Sequence, residues 1–280
     1  MIQKANHLLE VAIDAALSAG AFIRQKRHET IAVQHKEAGS SYATQVVTEI
    51  DRAAEQLILK ALLPTCEASN LALLSEETPD DQSRFIQDYF WCVDPLDGTL
   101  AFIENRPDYS VSIGLVSKAG VPVIGVIYDP SRDNLYHAVR GEGAFKNGKP
   151  WIIEPTNNHL TYVTDHRLEK AYKPEKIREL IDAKLQAIHL NEVQVISGGG
   201  LVINAMRTAE NGPAFMAKLP KPEQGGGSLW DYAAAACICL ELGMKVGGYH
   251  GEPLELNKKR DTYLNHQGMY FENFPKSNWA

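Results

Sequence analysis

Residues 89–103, YFWCVDPLDGTLAFI, decide the reading of this chain. The first half, YFWCV, is an apolar run with the length of a buried strand, and two aspartates, Asp94 and Asp97, follow it at once. Pro95 disfavours the helical region for the residue before it, so Asp94 is expected to stay extended at the edge of a sheet. Asp97 lies one turn on, and the Leu96 carbonyl falls between the two carboxylates. Gly98-Thr99 can open a helix whose free N–H groups face the same point. Two carboxylates and a carbonyl repel one another unless a cation intervenes. Hard oxygen ligands for Mg2+ beside backbone donors for phosphate oxygens are what a metal-bridged phosphate needs. Taken alone, Asp-x-x-Asp-Gly is equally a capped turn.

Three features elsewhere tip the balance. LALLSEETPDD ends a strand-like run with Glu76-Glu77, which brings further carboxylate to the same sheet edge. VVTEIDRAAE places Asp51 at the expected start of a helix, where N-capping would be its bland role. GGGSLWDYAAAA sets a lone acid, Asp231, among Trp230 and alanines, a poor place for an unpaired charge unless it too caps a helix.

In this order and at these separations, VTEID, SEE, DPLDGT and LWDYAA resemble the inositol monophosphatase family, which also contains 3'(2'),5'-bisphosphate nucleotidases. The motifs run from residue 46 to residue 235, so the resemblance covers essentially the whole chain. It implies an α/β fold, an α-β-α-β-α sandwich of two α/β halves, and Mg2+-dependent, lithium-sensitive hydrolysis of a phosphate monoester with two or three ions. By position, Glu76, Asp94, the Leu96 carbonyl, Asp97 and Asp231 match the family's metal ligands. Asp51 and Thr99 match the pair that orients and deprotonates the attacking water, with Glu77 a further catalytic acid beside them. Gly98 and Thr99 match the phosphate donors, and Asp231 also faces the substrate. Gly199 and Gly200 would let a substrate approach the backbone closely. On the loop at residues 218–228, Lys218, Lys221 and Gln224 are placed to contact a hydroxyl or a second phosphate.

The substrate is less clearly written. The loop KLPKPEQGGGS departs from relatives where they contact the part of the substrate beyond the phosphate. The tail YLN at residues 263–265, with Lys258, Lys259 and Arg260 before it, looks more like the nucleotidase branch. VTDHRLEK, however, lacks that branch's Ser-Arg-Ser-His segment. An inositol monophosphate-type ester is the favoured expectation. A bisphosphate nucleotidase, converting adenosine 3',5'-bisphosphate to AMP, is the alternative, and a phosphate-ester or metal-binding protein without turnover is a further one.

The remaining composition narrows the class. The chain has 280 residues, a formal charge of −7 and no Lys/Arg-rich run, which argues against a nucleic-acid polymer as partner. Cys66, Cys92, Cys237 and Cys239 show neither metal nor disulfide spacing, as expected of reduced thiols in a cytoplasmic protein, and the N-terminus lacks a signal-peptide pattern. No apolar stretch is long enough to span a membrane. The nine histidines, His7, His137 and His266 among them, lack ligand spacing. The family resemblance is compatible with a homodimer.

Periodicity orders the rest. Leu8, Val11, Ala12, Ala15, Ala16, Ala19, Phe22 and Ile23 give an opening helix its apolar face. HKEAGSSYATQ reads as a mobile loop, and Ala54, Leu57, Ile58 and Ala61 line a second helix beginning near Asp51. Strands are expected at 71–74, 89–93 and 109–116 and along VPVIGVIYDP and NLYHAV, with an Asn-Gly turn at 147–148. A first domain over 1–150 and a second over 151–280 follow. The second carries a helix over 174–187, the strand VQVIS and an alanine-rich helix stopped by Gly243.

Overall fold

The computed structural model describes residues 2–34, 40–165, 170–225 and 227–274, with side chains described for residues 5–27 and from 48 onward within those ranges. Helices α1 (Ile2–Gln34) and α2 (Ser40–Ser69) pack side by side and cover one face of a seven-stranded sheet. Its order is β1 (Ala72–Ser75), β2 (Tyr89–Asp97), β3 (Ser110–Ser117), β4 (Pro122–Asp129), β5 (Asn134–Val139), β6 (Ala144–Lys146) and β7 (Lys149–Pro150). The short helix α3 (Thr99–Ile103) follows β2. A second, five-stranded sheet has the order β11 (Lys245–Gly247), β12 (Met269–Asn273), β10 (Ala214–Lys218), β8 (Leu160–Thr164) and β9 (Val193–Ser197). Between the sheets lie α5 (Leu201–Glu210) and α6 (Leu229–Glu241), and α4 (Pro174–Ala187) covers the far face of the second. The layers therefore read α-β-α-β-α.

Each interface has its own apolar core. Leu8, Ala12, Ala16, Ala19 and Ile23 of α1 and Ala54, Ile58 and Leu62 of α2 bury against Trp91, Val93, Ile113 and Val126. Leu62 takes the place expected of Leu57, which is exposed. The middle core is built on the alanine run of α6. Small residues are required there because α6 lies almost on the backbone of β3 and β4. Gly114 and Gly125 are cross-strand partners. A Cβ on Gly125 would stand 2.4 Å from the Ala234 carbonyl oxygen, and one on Gly114 would stand 2.8 Å from the Ala233 Cβ. This glycine–alanine seam seats the N-terminus of α6, and hence Asp231, over the first sheet.

Two boundaries differ from expectation. The second helix begins at Ser40, so Asp51 lies well inside α2 and does not cap it. Residues 40–45 of the expected loop are helical, and residues 35–39 lie outside the described residues. Strand β2 does not stop at Val93 but continues to Asp97. Pro95, which has no N–H to donate, is tolerated because β1 pairs with β2 only as far as Ser75 and Val93, leaving that side of Pro95 open. Among the described residues no helix is long and apolar enough to cross a membrane.

Candidate active site

The end of β2 is irregular in a way that gathers acids. Asp94 pairs with Ser112 and Asp97 with Ser110, so three steps on β2 face two on β3, a bulge that re-aims the strand's side chains. Within the bulge Asp94 Oδ1 accepts the Leu96 N–H at 3.0 Å, and the Thr99 hydroxyl donates to the Leu96 carbonyl at 3.2 Å. Gly98, at φ 86, makes the turn into α3, a conformation that favours glycine. The Glu76 N–H bonds the Val93 carbonyl at 3.2 Å, which carries the first residue beyond β1 alongside Asp94.

The second half of the chain supplies the opposing wall. Asp97 accepts the Leu201 N–H on Oδ1 at 3.0 Å and the Val202 N–H on Oδ2 at 2.9 Å, so its carboxylate sits on the first turn of α5. A Cβ on Gly200 would fall 2.0 Å from Asp97 Oδ2, so the close approach that Gly200 permits is that of Asp97. Asp231 does take the helix-capping role, accepting the Ser228 N–H at 2.6 Å in a capping box. It also faces the other acids: carboxylate oxygens of Asp94, Asp97 and Asp231 lie within 4.8 Å of one another.

The remaining expected residues are placed as follows. Asp51 is buried within reach of the Glu76, Glu77 and Glu55 charges, and its Oδ1 has no hydrogen-bond partner among the described residues. Glu77 is drawn towards Arg52 at 3.4 Å. Gly199, at φ 84, packs against Arg207, Asp108 and Asn204. Gln224 is exposed on its loop with no hydrogen bond among the described residues.

Enclosing so many acids raises their proton affinity. Burial first, then the charges of Glu76, Glu77 and Glu55, pushes Asp51 up to about 8. Burial and the Asp231 charge push Asp97 up to about 8, against the pull of the Val202 and Leu201 N–H groups. Glu76, exposed over part of its surface, rises to about 7, first by desolvation of its carboxyl and then by the Asp231 charge. Asp94 is held well above the carboxylate range by burial, Glu76 and Asp231. Burial also raises Asp231, while the Ser228 N–H, the Asp94 carboxyl and the Lys218 charge pull the other way. A divalent cation would relieve this repulsion in place of protons. Buried carboxylates with an orphaned oxygen and a nearby carbonyl are the hard donor set that Mg2+ takes.

Comparison with known proteins agrees with this chemistry. The sequence profile of the inositol monophosphatase family matches residues 4–277. The chain belongs to that family. It is 38% identical to inositol monophosphatase 3 of Solanum lycopersicum over 262 residues, covering 92% of this chain and 91% of the relative. It is 31% identical to inositol monophosphatase 2 of the same plant over 267 residues, covering 92% and 93%. Among solved structures, CysQ from Bacteroides thetaiotaomicron, a bacterial member of the family, superposes with a TM-score of 0.72 at 28% identity, covering 94% of this chain and 96% of that one. Members of the family are Mg2+-dependent phosphoric monoester hydrolases that act on small phosphorylated substrates.

Two features are only partly legible, or not legible at all, in the sequence. One is a cavity of about 410 Å³, which joins the expected Lys218 and Lys221 and the Asn265 of the YLN tail to Thr164, Lys170 and Tyr172, among others, none of which the motifs single out. Its wall is fixed by the Lys221 N–H bonding the Asn265 carbonyl at 2.7 Å and by the Asn265 side chain donating to the Lys221 carbonyl at 3.0 Å. The other is the glycine pair under α6, signalled only by Gly114 and Gly125 interrupting otherwise apolar strands.

Proposed function

We propose that this phosphatase hydrolyses an inositol monophosphate-type ester, using Glu76, Asp94, the Leu96 carbonyl, Asp97 and Asp231 to hold two or three Mg2+ ions. The observation that carries the reading is the meeting of three carboxylates from β2 and α6 at the N-terminus of α5. When bound, the metal lowers the pKa of a bound water and neutralises charge on the phosphoryl group and the leaving alkoxide. The protein's own groups do the rest. Thr99, whose hydroxyl hydrogen is committed to the Leu96 carbonyl, presents its lone pairs to the attacking water. Asp51 has a buried oxygen without a partner, suited to receive that water's proton. Gly98 and Thr99, at the start of α3, offer N–H groups to the phosphate. The inositol-type substrate is supported by the two tomato relatives, each aligned over nine-tenths of the chain.

One observation favours the bisphosphate nucleotidase as a second reading. The cavity beside the site brings Lys170, Lys218 and Lys221 together with Tyr172, a setting for a second anionic group and a flat apolar body. Lys218 is already paired with Asp165 at 2.8 Å. Lys170 and Lys221 have no ion pair among the described residues.

Phosphate release with Mg2+ or EDTA separates the readings. Inositol 1-phosphate, adenosine 3',5'-bisphosphate, fructose 1,6-bisphosphate and histidinol phosphate are compared on the purified chain. A preference of ~100-fold, about 2.7 kcal/mol of transition-state discrimination, for the inositol ester supports the first reading. The same preference for the nucleotide, lost in Lys221→Ala, transfers the assignment to the second. Asp94→Asn with undiminished turnover would remove the basis of both.

A further inference from the structure

Asp97 is held by α5, and α5 is in turn held by a residue that neither the motifs nor the proposed chemistry assigns. Asp108, in the loop before β3, has φ 92, outside the regions that side-chain-bearing residues ordinarily occupy. Its carbonyl accepts the Gly200 N–H at 3.0 Å. Its carboxylate receives Arg132 Nη2 at 2.6 Å and, in a still shorter contact, Arg207 Nη2. Arg207 projects from α5 itself, and its Nη1 donates to the Gly198 carbonyl and to Asn204 Oδ1, both at 3.1 Å. Arg132 is anchored to Asp129 Oδ2 at 2.9 Å.

Asp108 therefore grips α5 twice, by the amide before its first turn and by a guanidinium further along. The same residue is wedged against the turn that follows Asp97. A Cβ on Gly98 would lie 2.6 Å from the Asp108 carbonyl oxygen and 3.2 Å from the Gly200 nitrogen. The two sides of the Asp97–helix contact thus share one backbone support. A left-handed, side-chain-bearing residue bound through both its carbonyl and its carboxylate is an arrangement the surroundings must enforce.

We propose that Asp108, with Arg207 and Arg132, is a positioning bracket for Asp97. It fixes the first turn of α5 where the Leu201 and Val202 N–H groups hold the Asp97 carboxylate, and so sets the Mg2+ affinity of the acidic cluster. The inference rests on the proposed role of Asp97 as a metal ligand.

Asp108→Asn removes the charge while keeping a residue that tolerates positive φ. Arg207→Lys keeps the charge and loses the two-nitrogen fork. Amide hydrogen exchange at Leu201 and Val202 is measured on the metal-free protein, Mg2+ binding by calorimetry, and KM and kcat across a Mg2+ titration. Both variants are expected to raise exchange at those two amides and to weaken Mg2+ binding by ~10-fold or more, the scale of lost support around a metal ligand. The phosphate-ester KM should change little, and kcat should recover at saturating Mg2+. Glu210→Gln, on the same helix but bonded to Tyr136 and Lys146, should lower thermal stability without moving Mg2+ affinity. Wild-type Mg2+ affinity and amide protection in Asp108→Asn and Arg207→Lys overturn the bracket. If Asp97→Asn binds Mg2+ normally, the ligand reading itself fails and the bracket's function falls with it. If Asp97→Asn weakens binding and the two bracket variants do not, only the bracket is refuted.

Discussion

Removing the metal should make the protein less stable as pH rises from acid to neutral, the reverse of ordinary acid denaturation. Asp51 and Asp97 are 5% and 7% exposed, so solvent screening discounts their shifts little. Each goes from an ordinary 3.8 in an unfolded chain to about 8 in the fold. A carboxyl whose folded pKa lies above its unfolded one keeps its proton in the native state while the unfolded chain has already released it. Its contribution is fully present below about pH 4 and is lost as pH climbs through about 8. Between those limits each group takes about 1.4 kcal/mol per pH unit from the folding free energy. For the two groups between pH 5 and 7 the ceiling is about 5 kcal/mol, comparable with the whole stability of many domains. Water entering the cleft trims that figure.

The assay is calorimetric melting of EDTA-treated protein across that pH range, repeated with millimolar Mg2+. The metal-free melting temperature should fall by up to roughly 10 °C from pH 5 to 7, while the stabilisation given by Mg2+ grows over the same interval. Mg2+ binding near pH 7 should release protons, measurable by titration in buffers of different ionisation enthalpy. Asp97→Asn, which no longer titrates, should flatten the metal-free profile. A metal-free melting temperature that is level or rising from pH 5 to 8, with a pH-independent Mg2+ effect, would refute the reasoning.

Three substitutions probe the architecture. Gly200→Ala drives a methyl group to 2.0 Å from Asp97 Oδ2, so the carboxylate or the helix must move by about 1 Å; steady-state kinetics should show about a 100-fold loss in kcat with the fold retained by circular dichroism. Thr99→Ala should lower kcat with little change in KM, whereas an effect confined to KM would make Thr99 a binding residue only. Gly125→Ala collides with the Ala234 carbonyl at 2.4 Å and should cost about 1–3 kcal/mol in urea unfolding, and an unchanged midpoint would show that α6 is not seated on the glycine pair.

The parts of the site legible in the sequence are those whose chemistry is local. Asp94, Pro95, Leu96, Asp97 and Gly98 sit within five residues, and their types alone state a bent strand end with paired oxygen donors. The position of Asp51 inside its helix is less legible, because Ser40, Ser41, Thr44 and Gln45 have the composition of a loop. Intrinsic propensity is a weak constraint, and a helix already paid for by packing at Ala54, Ile58 and Leu62 extends through such residues cooperatively. The strand expected over 89–93 stops short of Pro95, yet β2 runs past it, since what matters is whether a neighbour needs the missing N–H, and β1 has ended there.

Gly200 shows the limit most clearly. Its φ is −66, so no backbone requirement marks it as glycine; its smallness is demanded by a carboxylate 103 residues earlier in the chain. Asp108 is equally silent in the sequence, where a lone aspartate after proline is an ordinary turn residue. Both act at the contact between the end of β2 and the start of α5, a surface that exists only once the two sheets close on α5 and α6. The clustered carboxylates can therefore be named from motifs, but the spacing between them depends on small and charged residues outside those motifs. If that is so, Gly200→Ala, and Asp108→Asn below saturating Mg2+, should impair Mg2+-dependent turnover although every one of the clustered carboxylates is still present in the chain. Carboxylate type would then be necessary for the reaction, with its rate governed by how firmly the first turn of α5 is held.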